Sequence, residues 1–331
     1  MGVPNSNSPS ARECASLSLV TILVNYKTAD MIASALDDLI ARHTPFGTAT
    51  LIIVDNNSGA DDVAILEKAA ATNAGCVGVK IIAHPKNDGF GAGNNVGIGA
   101  MRNAKLDPDL VMFLNPDAMP QADCLEVLAR HLTQTKNAGI AGPLITGLDG
   151  TAQASAFRYF SIASEFESTA RTGPVSKLLQ QRKVVHAPMN TAQTVDWVSG
   201  AAFMMTREAL SAIDGFDEDY FLYFEETDLM RRLKAASFDI WHLPRATTVH
   251  LEGQSTGIKN DLMQSPHWLR SRNAYFKKHH GTLHHLGADL AFMLGTSILL
   301  FRKLVTGKSI AEPRAQLREF FTHFRKSSRL Q

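Results

Sequence analysis

A chain of 331 residues, 45% hydrophobic and 20% charged, carries enough apolar side chain for one large α/β domain or two modest ones. A net charge of +1 argues against a nucleic-acid-binding domain. Cys14, Cys76 and Cys124 are odd in number, widely spaced and free of any C-x-x-C pair, which argues against a disulfide framework or a zinc ribbon and fits a reducing, cytoplasmic compartment.

The Ser/Asn/Pro-rich start lacks the apolar stretch of a secretory signal, so residues 1–16 read as a disordered tail. Met1-Gly2 with Ser6 makes only a fragment of a myristoylation signal. Leu17–Asn25 is a continuous apolar, β-branched run, as in a strand buried on both faces. Thr28–Arg42 follows with Met31, Ile32, Ala35, Leu36, Leu39 and Ile40 at helical spacing. Further strands are predicted at Thr50–Val54, Val77–Ala83 and Leu110–Leu114. Helices are predicted at Asp61–Ala74, Gly89–Ala104 and Asp123–Thr135. This alternation predicts a doubly wound, mainly parallel sheet with right-handed crossovers. From about Gly142 to Val195 the pattern weakens and reads as a long insertion over the sheet. Regular signals resume with a strand run at Val195–Met205, a helix at Thr206–Ile213, an acidic cluster within Tyr220–Arg232 and a last strand at Ile240–Leu251.

Three polar clusters each follow the end of a buried strand: Asn25-Tyr26, Asp55-Asn56-Asn57 and Asn115-Pro116-Asp117. In open parallel sheets the ligand crevice lies outside the carboxyl ends of the strands, so these tips are expected to form one site. Asp117 fixed past a strand suits a divalent cation held against a diphosphate, because such ions take oxygen ligands. A lone Asx turn would be the structural alternative. Asp55 can accept the imide N–H of uracil or thymine. Asn87–Gly97 is a Gly-rich turn opening a helix, whose N-terminus favours phosphate. A dinucleotide fingerprint is rejected there, because this turn follows the third strand and not the first. Glu225, Glu226 and Asp228 are three acids within four residues, flanked by aromatics that desolvate a carboxylate toward a general base's range. Acids enriched at a helix N-terminus are the alternative. His250 ends the last strand, and imidazole suits Mn²⁺ better than Mg²⁺. Arg270 and Arg272 offer forked donors to phosphate or to surface acids.

Together, VTILVNYKTAD, LIIVDNNSGADD, NDGFGAGNNVGIG, MFLNPDAMP, VDWVSGAAFMMTREAL, GFDEDYFLYFEETDLMRRL and HLEGQS resemble, in order, the inverting family 2 glycosyltransferases of GT-A fold, in their rhamnosyltransferase-like branch. The resemblance covers roughly residues 17–280. It implies a nucleotide-sugar half over 17–120 and an acceptor half over 121–280; residues 281–331, beyond it, read as a helical, basic extension. It places the nucleotide sugar at Asn25, Tyr26, Asp55, Asn57, Gly89, Asn94, Asn95, Asn115 and Asp117. Asp117 stands for the last Asp of the family's DxD motif and shares Mg²⁺ or Mn²⁺ with His250. Asp196, Trp197 and Gly200, with Arg270 and Arg272, shape the sugar and acceptor pocket. The family usually has Glu-Asp where this chain has Glu225-Glu226, so Glu226 takes the place of the catalytic Asp with one extra methylene, and either Glu226 or one of Glu225 and Asp228 is implied as the base. The implied reaction is hexosyl transfer by single displacement from a dTDP- or UDP-sugar, with rhamnose from dTDP as the lean. The implied acceptor is a glycan or lipid-linked species of cell-envelope polysaccharide synthesis. A sugar-1-phosphate nucleotidyltransferase fits less well, because Tyr26-Lys27-Thr28 stands where a basic triphosphate loop is needed. A nucleotide-sugar-binding subunit without a base is the non-enzymatic alternative.

Leu290–Phe301 is an uncharged, mainly apolar run of twelve residues, too short to span a bilayer. From Arg302 to Gln331 there are eight Lys/Arg against two acids. A buried or interfacial helix with peripheral contact to the inner face of the cell membrane is expected, against the alternative of a solvated hairpin or dimer contact.

Overall fold

The strand tips hold their positions because the strands behind them are buried on both faces. The structure, a computed structural model, describes residues 13–73, 75–251 and 265–327; Glu252–Ser255 of the His250 motif and residues 1–12 of the expected tail lie outside these. In chain order the elements are β1 (Ser18–Asn25), α1 (Ala29–His43), β2 (Thr48–Asn56), α2 (Ala60–Ala71), β3 (Gly78–His84), α3 (Phe90–Asn103), β4 (Leu110–Leu114), β5 (Ala118–Pro120), α4 (Cys124–Gln134) and β6 (Ala138–Thr146). There follow β7 (Ala156–Phe157), α5 (Ile162–Ala170), α6 (Gly173–Leu178), β8 (Gln193–Thr194), β9 (Trp197–Val198), β10 (Ala202–Thr206), α7 (Arg207–Ile213), α8 (Glu225–Ala235), β11 (Asp239–His250), α9 (Pro266–Val305) and α10 (Ala311–Ser327).

Among the described residues the chain forms two compact units. The first comprises 13–157, 187–218 and 226–251; the second comprises 158–186, 219–225 and 265–327. The second therefore gathers separated segments, and side chains from all three share its core.

In the first unit the main sheet runs β3-β2-β1-β4-β10-β6-β11-β5, with β8 on β11. Pairing is parallel from β3 to β4 and between β6 and β11. It is antiparallel where β10 inserts between β4 and β6, and where β5 and β8 meet β11. The sheet is thus mixed, mostly parallel and flanked by helices, as expected. The predicted strand 195–205 breaks into β9 and β10, with Ser199–Ala201 between them.

Strand alternation explains the two packed faces. Leu19 and Leu23 of β1 join Leu51, Ile53, Met112 and Leu114 in one apolar cluster with Ile32 and Leu36 of α1 and Leu125 and Leu128 of α4. On the other face α3 lies so close to β1 that a Cβ at Gly97 would sit 2.5 Å from Ile22 Cγ2, and one at Gly93 2.8 Å from Val24 Cγ1. These glycines of the Gly-rich helix therefore serve backbone approach to the sheet. Thr21 is buried between its apolar neighbours and bonds His43 Nε2 at 2.7 Å, while His43 Nδ1 donates to the Leu39 carbonyl at 2.6 Å. The carbonyl can only accept, so Nδ1 carries a proton. Burial pushes its pKa down to about 4.

The second unit is built on an aromatic core of Tyr220, Phe224, Trp268, Tyr275, Phe276, Phe292 and Phe320. The weakly patterned stretch after residue 157 supplies its α5 and α6. Ser161 opens α5 with a reciprocal capping box to Ser164. Gly281, at φ 78, interrupts α9, so the predicted apolar run 290–301 belongs to the part of that helix after a kink. No helix among the described residues is long and apolar enough to cross a membrane.

Candidate active site

Asn25 closes β1 and organises the first corner of the sheet edge. Its side-chain nitrogen lies 2.7 Å from Asp55 Oδ1, 2.9 Å from Asp62 Oδ2 and 3.1 Å from Ser58 Oγ. Its Oδ1 accepts from the backbone and hydroxyl of Thr28, at 3.0 and 2.8 Å. Parallel pairing sets Asn25 opposite Asp55 and so creates this meeting of two strand tips. Asp55 Oδ2 accepts from the Ser58 N–H at 3.1 Å. Two carboxylate oxygens offer about four lone-pair sites, so Asp55 retains acceptor capacity for a base. Asn57, at φ 62, and half-exposed Tyr26 stand at the rim of this corner.

The second corner is Asp117. The antiparallel pairing of β5 with β11 puts Ala118 opposite His250. Asp117 then precedes the strand, its carbonyl accepts from the Leu251 N–H at 3.0 Å, and its Oδ1 lies 3.2 Å from His250 Nε2. The pair expected to share a metal is therefore adjacent. One carboxylate and one imidazole suit a divalent ion whose other ligands are phosphate oxygens and water.

The third corner is Glu226, in the first turn of α8. Asn115 N–H donates to the Ala201 carbonyl at 2.9 Å, which ties the Asn115–Asp117 turn to the loop before β10. In the same loop, a Cβ at Gly200 would come 3.3 Å from Glu226 Oε1, so a larger residue there would press on the carboxylate. Gly200 thus links the Asp117 corner to Glu226. Glu226 Oε2 accepts no hydrogen bond among the described residues. Burial pushes this carboxyl up to about 7; the Glu226 and Thr227 backbone N–H groups hold it partly down. A carboxyl poised there accepts a proton near neutral pH. Trp197, on β9, stacks on Phe157 at a centroid distance of 3.9 Å and forms an aromatic wall. Asp196 pairs with Lys234 at 3.5 Å.

Three sequence candidates are engaged by other groups of the protein. Asn95 donates to the Phe216 carbonyl and Glu218 and accepts from the Phe216 N–H, all at 2.9 Å, and so fixes the 215–218 turn. Asp228 is buried and accepts from Arg232 at 2.7 Å, whose other nitrogens hold the Ile213 and Gly215 carbonyls. Arg272, in the second unit, is 0% exposed, 2.6 Å from Glu165 and 2.7 Å from Asp289. It organises that unit's interior. Arg270 is exposed on α9, and Glu225 is buried in the second unit. Gly89, at φ 99, starts α3, and Asn94 is buried with an Oδ1 that accepts nothing among the described residues.

Asn56, expected only as part of its strand tip, and Asp62, not expected at the site, acquire their roles from the fold. Asn56 donates to Asn87 at 3.1 Å and to the Gly89 carbonyl at 3.0 Å, which anchors the turn before α3. Asp62 reads locally as an acid in a helix first turn, and only the fold brings it to Asn25.

A family model described as glycosyl transferase family 2 matches residues 18–183. The chain belongs to this family. It is 27% identical over 197 residues to the N-acetylglucosaminyl-diphospho-decaprenol L-rhamnosyltransferase of Mycobacterium tuberculosis, covering 54% of this chain and 61% of the relative. It is 24% identical over 164 residues to the rhamnosyltransferase WbbL of Escherichia coli K12, covering 49% of this chain and 60% of that one. The matches to these relatives thus leave more than a third of their length unspanned. Among solved structures, the mannosyltransferase PcManGT of Pyrobaculum calidifontis in complex with GDP-Man and Mn²⁺ has a TM-score of 0.58 at 12% identity, covering 97% of this chain and 89% of that one. GalNAc-T7 with UDP, GalNAc and Mn²⁺ has a TM-score of 0.54 at 15% identity, covering 77% and 47%. These likenesses show the GT-A fold.

Proposed function

We propose that this family 2 member is an inverting glycosyltransferase, which moves a sugar from a pyrimidine nucleotide-diphosphate donor to a hydroxyl of a glycan or lipid-linked acceptor in cell-envelope polysaccharide synthesis. The observation that carries the reading is Glu226: a carboxyl raised by burial toward neutrality, one oxygen without a hydrogen bond among the described residues, linked through Gly200 to the Asp117–His250 corner. Rhamnose from a dTDP donor is the favoured sugar, because two relatives are named rhamnosyltransferases.

Asp55 accepts the imide N–H of the pyrimidine, with Asn25 holding its carboxylate in place. Asp117 and His250 would hold a divalent cation; such an ion neutralises the charge that develops on a departing diphosphate. Trp197 excludes water beside the acceptor. Glu226 takes the proton of the acceptor hydroxyl as that oxygen bonds to the anomeric carbon and the bond to the diphosphate oxygen breaks. The nucleoside diphosphate leaves with the bonding electron pair. One displacement inverts the anomeric centre.

Calorimetric titration of nucleoside diphosphate with and without Mn²⁺ tests the donor half. Wild type should bind more tightly with Mn²⁺, and Asp117→Ala should lose that enhancement by about tenfold or more. An Asp117→Ala variant with unchanged Mn²⁺ enhancement would refute the assignment.

A further inference from the structure

The part of α9 after the Gly281 kink has two unlike faces. Ala288, Ala291, Phe292, Gly295 and Leu299 are buried, and Gly295 lies so close to α5 that a Cβ would meet Thr169 and the Ala170 backbone. That packing fixes how the helix is turned. The outward face then carries Leu283, Leu286, Leu290, Leu294, Phe301 and Leu304. Their spacings of three, four, four, seven and three residues trace one helical stripe. All but Leu286 are more than half exposed, and the stripe extends over about 32 Å. Soluble surfaces rarely leave so long an apolar row in water.

Cations collect where the stripe ends. Arg302, Lys308, Arg314 and Arg318 are exposed, Arg318 with only a long 3.7 Å pair to Glu319, whereas Glu312 is engaged by Lys303 and Arg171. Arg314 and Arg318, four residues apart on α10, line one shallow cleft with Ala311 and Ala315. Two guanidinium forks in one cleft suit the phosphate of a lipid headgroup. On α10, Phe320 stacks on Phe292 while Phe321 and Phe324 remain exposed. An apolar helical row with a basic end is the pattern of a helix that lies in the plane of an anionic bilayer surface.

We infer that the Leu283–Leu304 stripe is a membrane-docking surface, which seats in the headgroup boundary of an anionic bilayer while Arg314 and Arg318 hold headgroup phosphate. The inference stands apart from the transferase reading, on which it draws only for its purpose: bringing the enzyme to a lipid-linked acceptor.

Vesicle flotation of the full chain, without nucleotide sugar, tests it. Wild type should float with vesicles of phosphatidylglycerol and phosphatidylcholine and about tenfold less with phosphatidylcholine alone. The double substitution Leu290→Asp and Leu294→Asp should lower flotation by about tenfold or more. Arg314→Glu with Arg318→Glu should abolish the preference for anionic vesicles. All these positions are exposed, and thermal melts should match wild type. No flotation of wild type, or unchanged flotation of the Asp double variant, would overturn the inference. So would a wild type that ignores vesicles and self-associates through the stripe, becoming monomeric on the Leu290 and Leu294 substitutions. Donor binding is measured separately, so neither result bears on the family 2 reading.

Discussion

Replacing Glu226 by Gln keeps the side-chain volume and removes the ionisable carboxyl. In the folded protein burial lifts this carboxyl from 4.5 to about 7. The folded state therefore holds the proton more tightly than the unfolded chain. Below about pH 4.5 the group is protonated in both states and contributes nothing. Between about pH 4.5 and 7 the unfolded chain ionises first, so stability falls as pH rises; above about pH 7 the loss is constant. The gap between the two values corresponds to about 3 kcal/mol. Glu226→Gln should therefore match wild type in urea unfolding at pH 4 and exceed it by about 3 kcal/mol at pH 8. The same substitution should lower transfer by at least about a hundredfold with donor binding intact. Wild-type turnover should rise with pH through about 7 and level off, since the base works ionised. Equal stability of the two proteins at pH 8 would refute the buried-carboxyl reasoning, and retained turnover would remove Glu226 as the base.

Arg272→Leu leaves Glu165 and Asp289 without their shared cation in a buried interior and should destabilise the protein by about 3–5 kcal/mol in urea unfolding. Gly97→Ala places a methyl 2.5 Å from Ile22 Cγ2 and should lower stability by about 1–3 kcal/mol despite alanine's better helix propensity. His43, whose pKa falls from 6.5 to about 4 on folding, contributes stability that is complete above about pH 6.5 and is lost as pH falls toward 4. His43→Gln should flatten that part of the pH–stability curve in denaturant titrations.

The strand cores and their polar tips were legible because a strand buried on both faces leaves a local mark: an unbroken apolar run that stops at a polar residue. Asp55, Asp117 and His250 stood out for that reason, Glu226 instead as one of three acids flanked by aromatics, and the fold sets Asp117 against His250. What could not be read locally depends on pairing across the chain. Nothing in Val195–Met205 signals that β10 inserts antiparallel between β4 and β6. Asn95 lies in a motif with Asn94, yet its partner turn is more than a hundred residues away. Arg272 resembles any basic residue on a helix until Glu165 and Asp289 arrive from elsewhere in sequence. The second unit is hidden for the same reason, since its core joins three separated segments.

The central claim is that Asp55, Asp117 and Glu226 bind and activate a pyrimidine nucleotide-diphosphate sugar. Its most direct measurement is release of nucleoside diphosphate from a panel of dTDP-, UDP- and GDP-sugars, with Mn²⁺ or Mg²⁺ and with chelator, for wild type and Glu226→Gln. The account predicts cation-dependent release from a dTDP- or UDP-sugar that is lost in the variant. Release from none of the donors by wild type, or equal release by the variant, would contradict it.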